Sequence, residues 1–556
     1  MPALTALAGL AVALGLAVGG GGGGAERAVA QQFADLWARG DYDGMYRLLS
    51  DRARDAVAFD DFRAAYATAA ATATTRSLAV GEAGDRRDGA VPVPVTVRTR
   101  IFGDVRGVLR IPVEAGDERR PAVAWDRSLV FPGLRRGEQL ERETRLAPRA
   151  ALQARDGRTL AAGPDRPAEL PDVAAHVVGR VEPAPPEQRT ALRALGYPDG
   201  APVGVSGLER VFERTLAGTP GGTLLAGRRT LARRPPRPGR DVRTTIDPDV
   251  TRAAIAQLGD HYGGIAVVDP ADGAVLALAG VAYSGLQQPG STFKIITLVG
   301  ALEAGIARPG STYDVVDHAT LSGVSIQNAN GELCGGTLVA AFAHSCNSVF
   351  APLGAQLGAQ RLVAVAERFG FNRPLPIPGA AVSTVPRPEE MADDLAVGSN
   401  AIGQGGVQAT ALQMALVAAA IANDGRLPAP TLSLAARPSA TRATTPRVAR
   451  QVASMMRAVV EEGTGTAARI DGVAVAGKTG TAELRSTVAP ADGELPAHLT
   501  DDIPDTDAWF VAFAPARRAR VAVGVLFAEA GAGGEVAAPA AREVLVAALR
   551  RDGDGR

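Results

Sequence analysis

Ser291 and Lys294 stand three residues apart in Pro289-Gly-Ser-Thr-Phe-Lys294, at the head of the largely apolar run Ile295 to Ile306. That run predicts a helix, and residues three apart on a helix are neighbours, so the hydroxyl and the amine face each other across one turn. Serine is a poor nucleophile until a base takes its proton, and a lysine held below its ordinary pKa is such a base. The positive end of the helix dipole and burial both push Lys294 in that direction. The residue type is itself informative. The chain has 59 basic and 59 acidic side chains, and only two of the basic ones, Lys294 and Lys478, are lysines. The rest are arginines, which do not give up their proton in a protein.

Two more groups could share that chemistry. Ser345-Cys-Asn347 lies inside a helical region. Its hydroxyl could relay a proton to a leaving amine, and its carboxamide could hold a substrate amide as donor and acceptor. Taken alone, these residues would read as ordinary helix caps. Lys478-Thr479-Gly480-Thr481 ends an alternating run from Val473 and is expected on an edge-exposed strand. There Lys478 and Thr481 offer donors for a carboxylate, and Gly480 removes a side chain where a ligand backbone could lie close.

The elements that must position these groups follow from hydrophobic period. Residues 1–25 hold no charged side chain. Ala3 to Val18 reads as a signal or short membrane anchor, followed by a flexible glycine exit, Gly19 to Gly24. From Ala25, Val29, Phe33 and Trp37 recur one turn apart up to Gly40, and Tyr42–Leu49 and Phe59–Ala71 continue as helices. Strands are expected at 91–97, 105–113 and 123–131, which together make a small α+β domain. Residues 139–240 mix charged loops with short apolar runs and end in Arg233-Arg-Pro-Pro-Arg-Pro-Gly-Arg240, a stiff linker. Beyond it, Gly264–Val268 and Ala274–Leu278 form a hairpin, and residues 290–470 are predominantly helical. Strands are expected again at 473–476, 509–514 and 521–527, and a helical tail at 537–549.

The three groups occur in the order found in penicillin-binding proteins and serine β-lactamases, with Cys346 where Asp is usual. With Ser399–Gly405, Thr410–Met414, Ala420–Gly425, Gly463–Ala467 and Ala508–Pro515, the stretch 241–556 resembles the class B penicillin-binding proteins, monofunctional peptidoglycan transpeptidases. Gly207–Glu209 and Leu216–Gly221 resemble their linker domain. Trp37–Tyr42 and Met45-Tyr46 resemble the NTF2-like extension of the methicillin-resistance type and of actinobacterial relatives.

The resemblance implies a multidomain α+β chain. An anchor and glycine linker would occupy 1–24, an NTF2-like α+β domain 25–138, a small linker or dimerisation-type domain 139–240, and a transpeptidase domain 241–556. The last would be serine β-lactamase-like, an antiparallel sheet flanked by helices with a helical subdomain. It also implies the roles. Ser291 attacks the penultimate D-Ala carbonyl of a stem pentapeptide, Lys294 is its base, and Ser345 relays a proton with Lys478 setting the field. Asn347, Thr479, Gly480 and Thr481 bind substrate, and the backbone N–H groups of Ser291 and Thr481 form an oxyanion hole. No metal or cofactor is called for. The partners implied are D-Ala-D-Ala stem peptides, β-lactams, a polytopic glycan polymerase and, through the N-terminal segment, the membrane, with the catalytic domain outside the cytoplasm.

Other classes fit less well. Zero net charge and no aromatic residues interleaved in the basic stretch argue against nucleic acid. A Ser-His-Asp hydrolase lacks a G-x-S-x-G elbow around Ser291, and only His344 lies beside a motif. A β-lactamase or β-lactam sensor shares the Ser/Lys site. However, no E-x-x-L-N lies between Ser345 and Lys478, and a sensor needs several membrane spans. Two cysteines exclude a disulfide framework or a Cys-rich metal site. Cys334 and Cys346 stay open between a disulfide, which an exported chain permits, and packed thiols.

Overall fold

The computed structural model describes residues 23–116, 120–483 and 506–550. The expected anchor, Ala3 to Val18, lies outside them. Among the described residues no single helix is long and apolar enough to cross a membrane. The chain forms two compact units. One comprises residues up to Ala147 with Ala184–Ala201 and Gly218–Pro238; the other comprises Pro148–Pro183, Pro202–Ala217 and everything from Gly239.

The first unit opens with helices Gly23–Arg39, Tyr42–Arg47, Asp51–Ala56 and Phe59–Thr72. The first begins at Gly23, so the last two glycines of the expected flexible exit are helical. Thr75–Val80, Ala90–Thr99, Asp104–Ala115 and Pro121–Val123 then form a four-stranded antiparallel sheet in sequence order. In the second strand Val91, Val93, Val95 and Val97 point inward, the period-2 pattern of a half-buried strand, onto a core that includes Phe33, Phe62 and Tyr66. The strand expected at 123–131 stops at Val123. Asp126 accepts from the Ser128 N–H, and Arg127–Val130 closes as a 3₁₀ turn. The stretch 139–240 is shared between the units. Leu140–Arg145, Gly221–Ala226 and Arg229–Arg234 form a three-stranded sheet in the first, while Pro148–Pro183 and Pro202–Ala217 join the second.

The second unit is built on five antiparallel strands: β1 (Gly263–Val268), β2 (Val275–Gly280), β3 (Ala476–Glu483), β4 (Thr506–Ala514) and β5 (Val521–Phe527), in the order β2-β1-β5-β4-β3. β1, β4 and β5 are almost wholly apolar because both faces are covered. Helices α1 (Pro248–Leu258) and α7 (Ala537–Arg550) pack on one face through Val250, Leu258, Val544 and Leu545. The other face meets α2 (Lys294–Glu303) and α5 (Ala411–Ala422), with α3 (Leu338–Ala343), α4 (Asn347–Leu357) and α6 (Pro446–Glu461) in the same core.

Two expectations change here. The run 290–470 is not helical throughout: Thr312–Val316 pairs with Cys334–Thr337, and His318–Leu321 with Val324–Gln327. Ser322 and Gly323, both at positive φ, make the tight turn between the latter strands. β3 starts at Ala476, so Lys478 to Thr481 lie within the strand rather than at the end of one.

Near its N-terminal portion the second unit buries an ion cluster. The fully buried Glu209 carboxylate accepts from Arg149 Nε at 2.6 Å and Arg166 Nε at 2.8 Å, and Arg149 also reaches Glu213 at 2.8 Å. Removing one partner of such a cluster leaves buried charge uncompensated. Glu209→Gln is therefore expected to destabilise this unit by about 3 kcal/mol, seen as a lower denaturation midpoint. An unchanged midpoint would remove the cluster from the account of stability.

Candidate active site

Gly290–Phe293 forms a 3₁₀ turn that runs into α2 at Lys294. Side chains three apart eclipse in a 3₁₀ turn, which stacks Ser291 and Lys294 more directly than an α-helix would. The edge strand β3 crosses beside this turn. A Cβ on Gly480 would lie 2.7 Å from the Pro289 carbonyl oxygen and 2.9 Å from Thr292 Cγ2. The missing side chain therefore makes room for the turn that carries Ser291, and not for a ligand backbone as the sequence had suggested.

Ser345 occupies the junction between α3 and α4 at φ +62°, a left-handed conformation that is uncommon for any residue but glycine. It is not a cap: α4 has Cys346 at its N-cap position, without a side-chain hydrogen bond, and Asn347 is the first helical residue. Cys346 is joined to Cys334 by a disulfide with a Cα–Cα distance of 5.4 Å, which settles the open alternative. The junction is thereby tied to the strand at Cys334–Thr337.

Lys294 and Lys478 are both fully buried. Lys294 Nζ donates to the Ser345 carbonyl and to Asn347 Oδ1, each at 2.6 Å, and lies 3.3 Å from Ser345 Oγ. Lys478 Nζ donates to the same Oγ at 2.8 Å and to the Thr479 carbonyl at 3.1 Å. Their other neighbours are aromatic: Lys294 sits 5.8 Å from the Phe350 ring centroid and Lys478 5.6 Å from that of Phe342. Among the described residues neither amine pairs with a carboxylate. Burial, and then the charge of Lys478, hold Lys294 well below the ordinary lysine range, and burial brings Lys478 down to about 7.

The structure thus joins Lys294, Ser345, Asn347, Lys478 and Thr479 in one hydrogen-bonded group, with Ser291 one turn before Lys294 and Gly480 against the Ser291 turn. Among the described residues no hydrogen bond reaches Ser291 Oγ, which is partly exposed; Lys294 engages Ser345 and Asn347 instead. Thr481 Oγ1 accepts from the Gly533 N–H at 3.5 Å. Asn347 Nδ2 donates to the Gln327 carbonyl at 2.8 Å, so its amide is engaged on both sides. His344 is exposed and bonds none of these groups through its ring. Sequence reasoning assigned no role to Phe342, Phe350 or Gln327, whose contacts come from separate elements. Nor did it assign one to Thr464, whose Oγ1 is 2.6 Å from Thr479 Oγ1 although Gly463–Ala467 had been singled out.

Chemically, a hydroxyl bracketed by two buried amines, beside a second serine on a tight turn, can pass protons without any carboxylate. Comparison with known proteins agrees. The penicillin-binding protein transpeptidase domain model matches residues 263–546, the penicillin-binding protein dimerisation domain 141–244 and the NTF2-like N-terminal transpeptidase domain 25–138. The chain is 33% identical over 426 residues to the peptidoglycan D,D-transpeptidase PbpA of Mycolicibacterium smegmatis, covering 65% of this chain and 82% of that one. With PbpA of Mycobacterium tuberculosis it shares 32% identity over 412 residues, covering 62% and 79%. Its fold is similar to the ceftriaxone acyl-enzyme complex of penicillin-binding protein A from M. tuberculosis, with a TM-score of 0.57 and 27% identity over 72% of this chain and 98% of that one. It is also similar to the D,D-transpeptidase domain of a peptidoglycan glycosyltransferase from Eggerthella lenta, with a TM-score of 0.58 and 29% identity over 73% and 99%. With a match over more than half its length and the paired-lysine site in the matched region, this chain belongs to the penicillin-binding protein transpeptidases, as a homologue of the PbpA peptidoglycan D,D-transpeptidases.

Proposed function

We propose that the chain cross-links peptidoglycan stem peptides through a Ser291 acyl-enzyme, and that penicillin acylates the same serine. The observation that carries this reading is Ser345 Oγ held between two buried lysines that pair with no carboxylate among the described residues. Two acceptor-only groups, the Ser345 carbonyl and Asn347 Oδ1, take two Lys294 protons. A neutral amine then has its lone pair left for a hydroxyl proton.

In the reaction, Ser291 Oγ bonds to the carbonyl carbon of the penultimate D-Ala while its proton passes to Lys294 Nζ. The C–N bond to the terminal D-Ala breaks as its nitrogen takes a proton through Ser345 Oγ, and free D-Ala leaves behind an ester on Ser291. An amine of a second stem peptide attacks that ester, the new amide forms, and Ser291 recovers its proton. Thr479, Thr481 and Lys478 receive the terminal carboxylate and Asn347 orients the acyl donor, which displaces its Gln327 contact. The N–H groups of Ser291 and Thr481 hold the oxyanion. Among the described residues β3 is paired on one edge only, with β4, and its other edge suits an extended peptide.

The same reading divides the chain at 25–138, 139–240 and 241–556. It places a membrane anchor or export signal in 1–24, the catalytic domain outside the cytoplasm and a glycan polymerase as partner. The Cys334–Cys346 disulfide suits an oxidising compartment.

Fluorescent penicillin is expected to label the chain covalently and slowly reversibly; label that survives Ser291→Ala rejects the mechanism, and decay within seconds favours a β-lactamase. Lys294→Arg is expected to abolish labelling while the far-ultraviolet spectrum stays that of the parent, because a guanidinium cannot accept the proton. The acylation rate should be bell-shaped in pH. It rises as Lys294 loses its proton and falls as Lys478 loses its charge near about 7. A rate still climbing at high pH would contradict the charge assignment.

A further inference from the structure

We infer that Thr464 is a positioning residue that fixes the Thr479 hydroxyl on β3 together with the end of α3 that presents Ser345. This rests on the transpeptidase reading and deepens it.

Thr464 follows α6 and touches both partners of the Lys478–Ser345 contact at one remove. Its N–H donates to the Ala343 carbonyl at 3.1 Å, at the last residue of α3 and two residues before Ser345. Gly463 permits that approach, since a Cβ there would lie 2.2 Å from the same carbonyl oxygen. The Thr464 hydroxyl lies 2.6 Å from Thr479 Oγ1, on the residue after Lys478, and 3.4 Å from the Ala343 oxygen. One loop residue therefore spans the helix end and the strand, whose separation sets the 2.8 Å contact between Lys478 Nζ and Ser345 Oγ.

The hydroxyl pair has a direction. Between two oxygens 2.6 Å apart one proton is shared, and only one hydroxyl donates it. If Thr479 donates, its proton is used inside the protein. The Thr464 hydroxyl has one proton and two acceptors within reach, Thr479 Oγ1 at 2.6 Å and the Ala343 carbonyl at 3.4 Å; given to the nearer one, it leaves Thr479 its own proton for a carboxylate oxygen in the cleft, the arrangement that serves binding. Thr464 itself is exposed, so shortening or replacing its side chain opens no cavity in the core.

The test compares full-length parent, Thr464→Val and Thr464→Ser by the kinetics of labelling with fluorescent penicillin, which carries the carboxylate, together with thermal midpoints. Thr464→Val is expected to lower the second-order acylation constant by about fivefold at an unchanged midpoint, as for the loss of one hydrogen bond between neutral groups. Thr464→Ser, which keeps the hydroxyl, is expected to recover most of the rate. Parental labelling by Thr464→Val, or a loss that Thr464→Ser does not recover, overturns the inference. A parent chain that takes no label, or takes it in Ser291→Ala, rejects the transpeptidase reading itself and is thereby told apart.

Discussion

Two amines buried around one hydroxyl, with no carboxylate among the described residues to balance them, form the constraint on which the rest of the catalytic unit turns. Taking an ammonium out of water is costly, and a second one beside it adds repulsion. Folding therefore favours a state in which one amine is neutral, and that amine is a base. The acceptors around Lys294 determine which way its remaining lone pair can point. The rings of Phe342 and Phe350 keep water away while offering a face that a cation tolerates.

Holding this arrangement requires three chain segments that are distant in sequence. The Ser291 turn is pressed against β3 because Gly480 has no side chain. The Ser345 junction bends into the left-handed region, and the disulfide at Cys346 with the Gln327 and Ala343 contacts restrains it. Among the described residues β3 has no strand on its outer edge, and its other edge is paired along its whole length with β4. Helix α2 and strand β3 thus carry the two lysines, and a junction restrained on both sides carries Ser345, which is how such sites reach the required geometry.

Much of this was legible in the sequence, for identifiable reasons. Lys294 and Lys478 stood out because a chain that uses arginine elsewhere kept lysine there. Ser291 followed from its three-residue spacing and the apolar run behind it. The first helix of the first unit with its strands at Ala90–Thr99 and Asp104–Ala115, and β1, β2, β4, β5 and α7 of the second, followed from period, as with Val29, Phe33 and Trp37, or Val91 to Val97. What the sequence did not disclose depends on distant partners. The occupant of the space at Gly480 is Pro289, and the neighbours of Thr464 lie 15 and 121 residues away. The small hairpins between Thr312 and Thr337 were hidden because their apolar residues are few and partly exposed, so no period emerges. The strand read at 123–131 failed because Asp126 caps a turn, a local hydrogen bond that competes with sheet formation.

The chain passes back and forth between its two units before the catalytic sheet begins, since 148–183 and 202–217 belong with the sheet while 184–201 and 218–238 do not. Leu152, Leu160, Val173, Leu208 and Leu216 are thus part of the same apolar core as α2 and α5. During synthesis neither unit has all its parts until the ribosome has passed residue 238, and the strand Leu140–Arg145 must wait for its partner Gly221–Ala226. A fragment begun at the catalytic sheet would leave that core open on one side. In this chain, assembly of the catalytic unit is bound to its N-terminal half by topology.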